Sequence, residues 1–204
     1  MNQRSLFAEA EQKADLSQWY TPRPLAKRIV DWALSHNPGC RNIVEPAAGQ
    51  GALVKPLLER GLKVTAYDID PANVAALCEI PGRDLVVHCN DWLGDPPLPA
   101  AQPDMVVMNP PFEYNNDVTF VAQAVQAAPV AISVLRGVVL HGVGRWEIAW
   151  RWVDPVRLVY LVRRPKWGGD HSPKQDFIIA ELRPRETQRQ DGEIIRPLSI
   201  EWWL

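Results

Sequence analysis

The apolar positions of the chain follow two periods in turn. Over residues 24–36, PLAKRIVDWALSH, Leu25, Ile29, Trp32 and Ala33 fall at helical spacing, with Pro24 suited to a first turn and Asn37-Pro38-Gly39 closing it. That pattern predicts a helix. NIVEP is a short apolar run, and AAGQGALVKPLLERG sets a Gly-rich turn ahead of an apolar pattern ended by Gly61, which reads as strand, tight turn, helix. The unit repeats: LKVTAYDID predicts a strand, PANVAALCE a helix opening on proline, and DLVVHCNDW a third strand. DMVVM predicts a fourth strand, DVTFVAQAVQAA a helix and VAISVLR a fifth strand. Strands and helices alternating at this spacing predict an α/β fold, a parallel sheet with helices on both faces. After Gly137 the pattern loosens; RWEIAWRW predicts a helix, and VRLVYLV, DFIIAEL and LSIEWWL three more strands.

Length and composition add bounds. A chain of 204 residues, 47% hydrophobic and 23% charged, is the size of one globular domain with a real core. We therefore expect a single domain over 1–204, with an N-terminal extension at 1–18. Two stretches read as loops, GDPPLPAAQP and the basic loop 163–176, RRPKWGGDHSPKQD; the second is about as long as ordered loops become, and such loops are often functional. The formal charge of -2 argues against a surface coated in Lys and Arg, but its distribution is uneven. Residues 1–135 carry 10 Lys+Arg against 15 Asp+Glu, whereas residues 136–196 carry 12 against 8, so an anionic partner should meet the C-terminal half. Cys40, Cys78 and Cys89 form no CxxC pair and read as small buried hydrophobes; His36, His88, His141 and His171 show no metal spacing. The polar N-terminus lacks a signal-peptide core and no stretch reaches about 18 apolar residues, so the expectation is a soluble, cytoplasmic protein.

Candidate chemistry gathers where predicted strands end. Glu45-Pro46-Ala47-Ala48-Gly49-Gln50-Gly51 is a small-residue turn after the first strand, at the edge where such sheets bind ligands; a turn that only reverses the chain reads equally well. The dinucleotide fingerprint GxGxxG fails because Val54 stands at the third glycine position. Asp68, ending the second strand 17 residues after Gly51, is either a solvated strand end or an acceptor for two ribose hydroxyls. Asp91, after the third strand, repeats that geometry and could accept a hydrogen from an adenine amino group. The fourth strand runs into Asn109-Pro110-Pro111-Phe112. An aromatic exocyclic amine is a poor nucleophile because its lone pair is delocalised into the ring. Acceptors placed off the ring plane would hold its two hydrogens and free that lone pair. Asn109 offers a side-chain carbonyl and Pro110 a backbone carbonyl, Pro111 adds stiffness, and the ring of Phe112 could stack on a planar target.

In the order Tyr20-Thr21-Pro22, EPAAGQGAL, AYDID, CNDWL and NPPFE the sequence resembles the amino-methylating DNA methyltransferases, specifically their adenine-N6 group, over roughly residues 19–135. The resemblance implies a Rossmann-like class I methyltransferase fold, a mostly parallel seven-stranded sheet with one antiparallel strand, and S-adenosylmethionine as cofactor. It places Tyr20, Thr21, Pro22 and the turn Glu45, Pro46, Ala47, Gly49 and Gly51 around the methionine part. Asp68 and Ile69 would meet the ribose, and Asp91 and Trp92 the adenine, with Asn109 at the reacting end. Asn109, Pro110, Pro111 and Phe112 would hold a base flipped from duplex or single-stranded DNA, because its amine is unreachable within a duplex. Phe177 would match an aromatic that packs on the target, and a core phenylalanine is the other reading.

The chain departs from that group in one respect. Only about 70 residues follow the fifth strand, which leaves no separate target recognition domain and suggests a very short target or a separate recognition or restriction partner. Arg163, Arg164, Lys166 and Lys174 could meet phosphates and Trp167 a base, whereas Trp146, Trp150 and Trp202 read most simply as core. The four residues Asn109 to Phe112 serve RNA adenine and protein glutamine methylation equally well; Phe112 leans toward a base, since glutamine enzymes usually favour tyrosine there. A non-catalytic cofactor-binding subunit and a nicotinamide oxidoreductase are the readings from other classes.

Overall fold

The computed structural model of the chain describes residues 20–94, 99, 101–166, 175–186, 197 and 199–204. The N-terminal extension 1–18, Trp167, His171 and Lys174 lie outside the described residues, as do parts of both loops. Eight strands form one sheet: β1 (Asn42–Glu45), β2 (Lys63–Asp68), β3 (Leu85–Cys89), β4 (Met105–Met108), β5 (Ala131–Arg136), β6 (Val153–Leu161), β7 (Phe177–Pro184) and β8 (Ser199–Trp203). Their order is β3-β2-β1-β4-β5-β7-β6-β8. Neighbours pair in parallel except at β7, which runs antiparallel to both β5 and β6. The seven-stranded expectation from the resemblance is therefore corrected to eight, because β8 adds itself in parallel outside β6.

Helices cover both faces. On one side α1 (Arg23–His36), α2 (Val54–Leu58) and α3 (Pro71–Cys78) pack on the sheet through Ala26, Ile29, Ala33, Leu57 and Leu77. On the other, α4 (Asn116–Ala127) and a single wide π-turn (Trp146–Trp150) do so. The central strands are buried on both faces, as an α-covered parallel sheet requires; every residue of β4 is buried. β3, at the rim, has no fully buried residue.

Several local expectations change. The helix after the glycine turn is only five residues long, since two residues of turn follow Gly51 before it starts and Gly61, at φ +70°, ends the segment. RWEIAWRW closes as a π-turn, which sinks Trp150 fully into the core with its Nε1 donating to the Val139 carbonyl at 2.9 Å. Of the three cysteines only Cys40 is buried, because Cys78 lies at the outer end of α3 and Cys89 on the rim strand. Trp146 is half-buried, and Trp202, expected in the core, is 66% exposed.

Candidate active site at the carboxyl edge of the sheet

The turn after β1 is held in place by β2. Ala48 N–H donates to the Tyr67 carbonyl and Gly49 N–H to Asp68 Oδ2, at 2.9 and 2.7 Å. The other oxygen of Asp68 receives the Asp70 N–H at 2.9 Å and Asn73 Nδ2 at 3.2 Å. Asp70 in turn caps α3, accepting from Ala72 N–H at 2.9 Å. Asp68 is thus a buried hub rather than a solvated strand end, and with three donors on its about four acceptor sites it keeps about one for a ligand hydroxyl. Gly49 sits at φ +53°, and a Cβ there would stand 3.2 Å from the ring of Tyr20, whose hydroxyl donates to Asn73 Oδ1 at 3.2 Å. Gly51 sits at φ +81°, which favours glycine, and a Cβ there would push the tip of the Ile80 side chain aside. The turn favours glycine at both positions.

Glu45 ends β1 directly beneath this turn and is 2% exposed. Burial, and then the nearby charge of Asp68, push its carboxyl well above the usual carboxylate range, against the hydrogen bond it accepts from Val54 N–H. Its Oε2 is buried with no hydrogen-bond partner among the described residues. Such a group is stabilised by positive charge brought close to it. Burial, then Asp68 and Asp70, likewise raise the Tyr20 hydroxyl above its ordinary value.

After β3, Asp91 is exposed and accepts from the Leu93 N–H at 3.0 Å, which turns the chain over the site. Trp92 is buried, tilted against Tyr67 at 5.2 Å, and its backbone carbonyl accepts from Gln123 Nε2. Ile69 is 54% exposed at the rim.

Asn109 follows β4 and its Nδ2 donates to Thr21 Oγ1 at 3.0 Å, so a residue two positions before α1 fixes the amide plane. Phe112 does not offer an open face: it is 7% exposed and tilts against Phe177 at 5.2 Å. The two aromatic rings expected at a target base pack on one another, because the proline turn carries the ring back over the end of β7. Beyond it, Asn115 adopts φ +63° and accepts from Arg145 Nε at 3.1 Å. Arg145 also donates to the carbonyls of Val138 and His141. Asp117, fully buried at the start of α4, receives both Nε and Nη2 of Arg136, at 2.7 and 2.8 Å. The loop carrying Asn109 is therefore tied at its far end to the last residue of β5.

These elements enclose a cleft of about 320 Å³ lined by Tyr20, Pro46, Gly49, Asp68, Ile69, Asn73, Asp91, Trp92, Asn109 and Pro111. Its size is at the lower end for small-molecule sites, and it lies outside the carboxyl ends of β1, β2 and β4, where open α/β sheets bind ligands. Larger hollows, of about 530 and 760 Å³, lie over β1–β3 beside Pro99 to Pro103 and along α1 and α2; neither gathers these strand-end groups. Arg163, Arg164 and Lys166 leave β6 at the same sheet edge and are exposed, with Arg164 Nε donating to Asp176 at 3.1 Å. Among the described residues no His, Cys, Asp and Glu cluster could hold a metal, and no helix is long and apolar enough to cross a membrane.

Sequence reasoning missed Asn73, Asp117, Arg136 and Arg145. Asn73 carried a faint signal, an amide in the first turns of a helix that opens right after the second-strand acid. The Asp117–Arg136 pair carried none, since each residue is unremarkable until the sheet brings the ends of β4 and β5 together.

No protein-family model matches the sequence. Ribosomal RNA small subunit methyltransferase A of Mycoplasmopsis pulmonis is 33% identical over 97 residues, 47% of this chain and 37% of that protein's length. Among solved structures, a candidate RNA methyltransferase from Pyrococcus horikoshii superposes with TM-score 0.67 at 20% identity, over 83% of this chain and 87% of that one. The 23S rRNA methyltransferase ErmE superposes with TM-score 0.58 at 21% identity, over 86% and 73%. The chain has the Rossmann-like class I fold of S-adenosylmethionine-dependent methyltransferases.

Proposed function

We propose that the protein transfers a methyl group from S-adenosylmethionine to the N6 amine of adenine in a nucleic acid. The observation that carries this reading is a single cleft lined both by the glycine turn with its Asp68 hub and by Asn109 and Pro111. The residues present fit the cofactor: Asp68 keeps about one acceptor site for a ribose hydroxyl, and the buried Glu45 suits a ligand carrying a sulfonium and an ammonium. The cofactor supplies an electrophilic methyl carbon on a positively charged sulfur. Everything else falls to this chain. The Asn109 side-chain carbonyl and the Pro110 backbone carbonyl accept the two amine hydrogens out of the ring plane, and Thr21 holds the Asn109 amide while they do so. Pro110 and Pro111 have no N–H to compete. Held this way, the nitrogen lone pair would face the methyl carbon that the bound cofactor would supply. Once methylated, the nitrogen is positively charged and loses one proton to water without a dedicated base. Phe112, held on Phe177, stiffens the loop that carries Asn109 and Pro110.

The three proteins compared above are named as RNA methyltransferases, which puts RNA first as substrate. DNA is the second reading, favoured by the resemblance of the Tyr20-Thr21-Pro22 segment to that of the adenine-N6 DNA enzymes; Thr21 of that segment meets Asn109. In that reading a separate recognition or restriction partner selects the target. The test is incubation with labelled S-adenosylmethionine and, in separate arms, ribosomal RNA, duplex DNA and single-stranded DNA, followed by nucleoside mass spectrometry. N6-methyladenine should appear in one arm and fall roughly 100-fold in Asn109→Ala, the scale for losing one placed hydrogen-bonding group. A methylated glutamine in place of a methylated base, or cofactor binding with no turnover on any arm, would refute the proposal.

A further inference from the structure

The outermost strand carries an aromatic surface that the cleft does not use. Along β8, Glu201 and Trp203 turn toward α1: Glu201 accepts from Trp32 Nε1 at 2.9 Å, and the guanidinium of Arg28 lies 4.2 Å over the Trp203 ring. Ile200 and Trp202 turn to the opposite face, where they are 52% and 66% exposed. On that face Trp202 stands beside Tyr160 of β6, rings stacked at 4.7 Å and 23°. The stack therefore ends in an indole whose outer side is open at the rim of the sheet. Val162, whose N–H donates to the Trp203 carbonyl at 3.0 Å, is 52% exposed and prolongs the stripe upward. Arg163, Arg164 and Lys166 follow it, all exposed.

We infer that Trp202, stacked on Tyr160, is a platform for one base of the substrate strand, with Arg163, Arg164 and Lys166 on the adjoining phosphates. This rests on the nucleic-acid reading above and deepens it. Aromatic faces beside a cationic track bind single strands through stacking and phosphate neutralisation, largely without regard to sequence. Position supports it too. Trp202 and Tyr160 lie near the carboxyl end of the parallel strands, as Asn109 does, and four strand spacings separate β4 from β8 in the order β4-β5-β7-β6-β8. At about 4.8 Å each, that is roughly 19 Å, or about six nucleotide steps at 3.4 Å. A strand with its adenine at Asn109 can therefore reach Trp202.

The experiment is fluorescence anisotropy with end-labelled single-stranded 20-mers of RNA and DNA, comparing the full chain with Trp202→Ala, Trp202→Phe, Arg163→Ala and Lys166→Ala, and measuring cofactor affinity of each variant by calorimetry. Trp202→Ala should weaken strand binding about 5- to 100-fold at unchanged cofactor affinity, and Trp202→Phe should restore most of it. Arg163→Ala and Lys166→Ala should each lower the slope of log K against log salt by about 0.7 to 1. Strands with fewer than about six nucleotides on either side of the methylated adenine should lose the difference between wild type and Trp202→Ala. If wild type methylates a nucleic acid and Trp202→Ala binds strands equally well, the platform is refuted while the proposed function stands. If Trp202→Ala instead turns a wild-type dimer into a monomer with unaltered strand affinity, the surface belongs to a second copy of this chain. If no nucleic acid is bound or methylated by the wild type, the proposed function fails and the platform with it.

Discussion

The pair Asp117–Arg136 offers a quantitative test of how the amine-binding loop is held. Asp117 is fully buried and the Arg136 side chain is 13% exposed, with two parallel hydrogen bonds of 2.7 and 2.8 Å between them. Asp117 also takes the Val118 N–H at 3.0 Å, so its carboxylate is well satisfied. Replacing Arg136 with Met leaves that carboxylate buried without its counter-charge, and removing one partner of such a pair costs about 3–5 kcal/mol. Asp117→Asn strands the guanidinium in the same way. Against a total of about 5–15 kcal/mol for a domain, either change is large, and for a chain of this length it lowers Tm by roughly 6–20 °C. The double variant removes both charges, so it should lose no more than the worse single one.

The assay is urea unfolding followed by tryptophan fluorescence on the four proteins of the cycle, with S-adenosylmethionine affinity and turnover measured alongside. The signature is strong non-additivity in stability. Turnover should fall further than cofactor affinity, because the pair restrains the segment after Asn109–Phe112 rather than the glycine turn. Single substitutions that each cost under about 1 kcal/mol, or costs that simply add, would refute the idea that this pair anchors the loop.

Two further outcomes concern the glycine turn. Glu45 has a folded pKa above its unfolded value, so the fold favours its neutral form; stability is intact below the unfolded value near pH 4.5 and declines as pH rises toward the folded value. Glu45→Gln, neutral at every pH, should abolish that decline in urea titrations between pH 4 and 8 while weakening S-adenosylmethionine binding at pH 8, and parallel stability profiles would contradict this. Gly49→Ala places a Cβ 3.2 Å from the Tyr20 ring at φ +53°, a strain of about 1–3 kcal/mol, and should lower cofactor affinity about tenfold or more by calorimetry; unchanged affinity would show that the turn yields freely.

How much of this was legible in the sequence depended on whether the controlling contact was local. Strands and helices up to β5 followed from period alone, and the glycine turn and Asn109–Phe112 announced themselves because their function is written in adjacent residues. What the chain could not state were parities and long-range partners. Asn109 needed Thr21, 88 positions away, and Tyr20 needed Asn73. The C-terminal strand shows why. In SIEWWL either Ile200 and Trp202 or Ser199, Glu201 and Trp203 could face the core, and hydrophobicity alone selects the first set. The protein takes the second, because α1 supplies an indole N–H for Glu201 and a guanidinium for Trp203, partners that the opposite face does not provide. A half-buried carboxylate with a donor costs less than one without, so these α1 contacts favour this parity. The same choice that satisfies Glu201 turns Trp202 outward, which is how a residue that reads as core becomes an exposed aromatic face stacked on Tyr160.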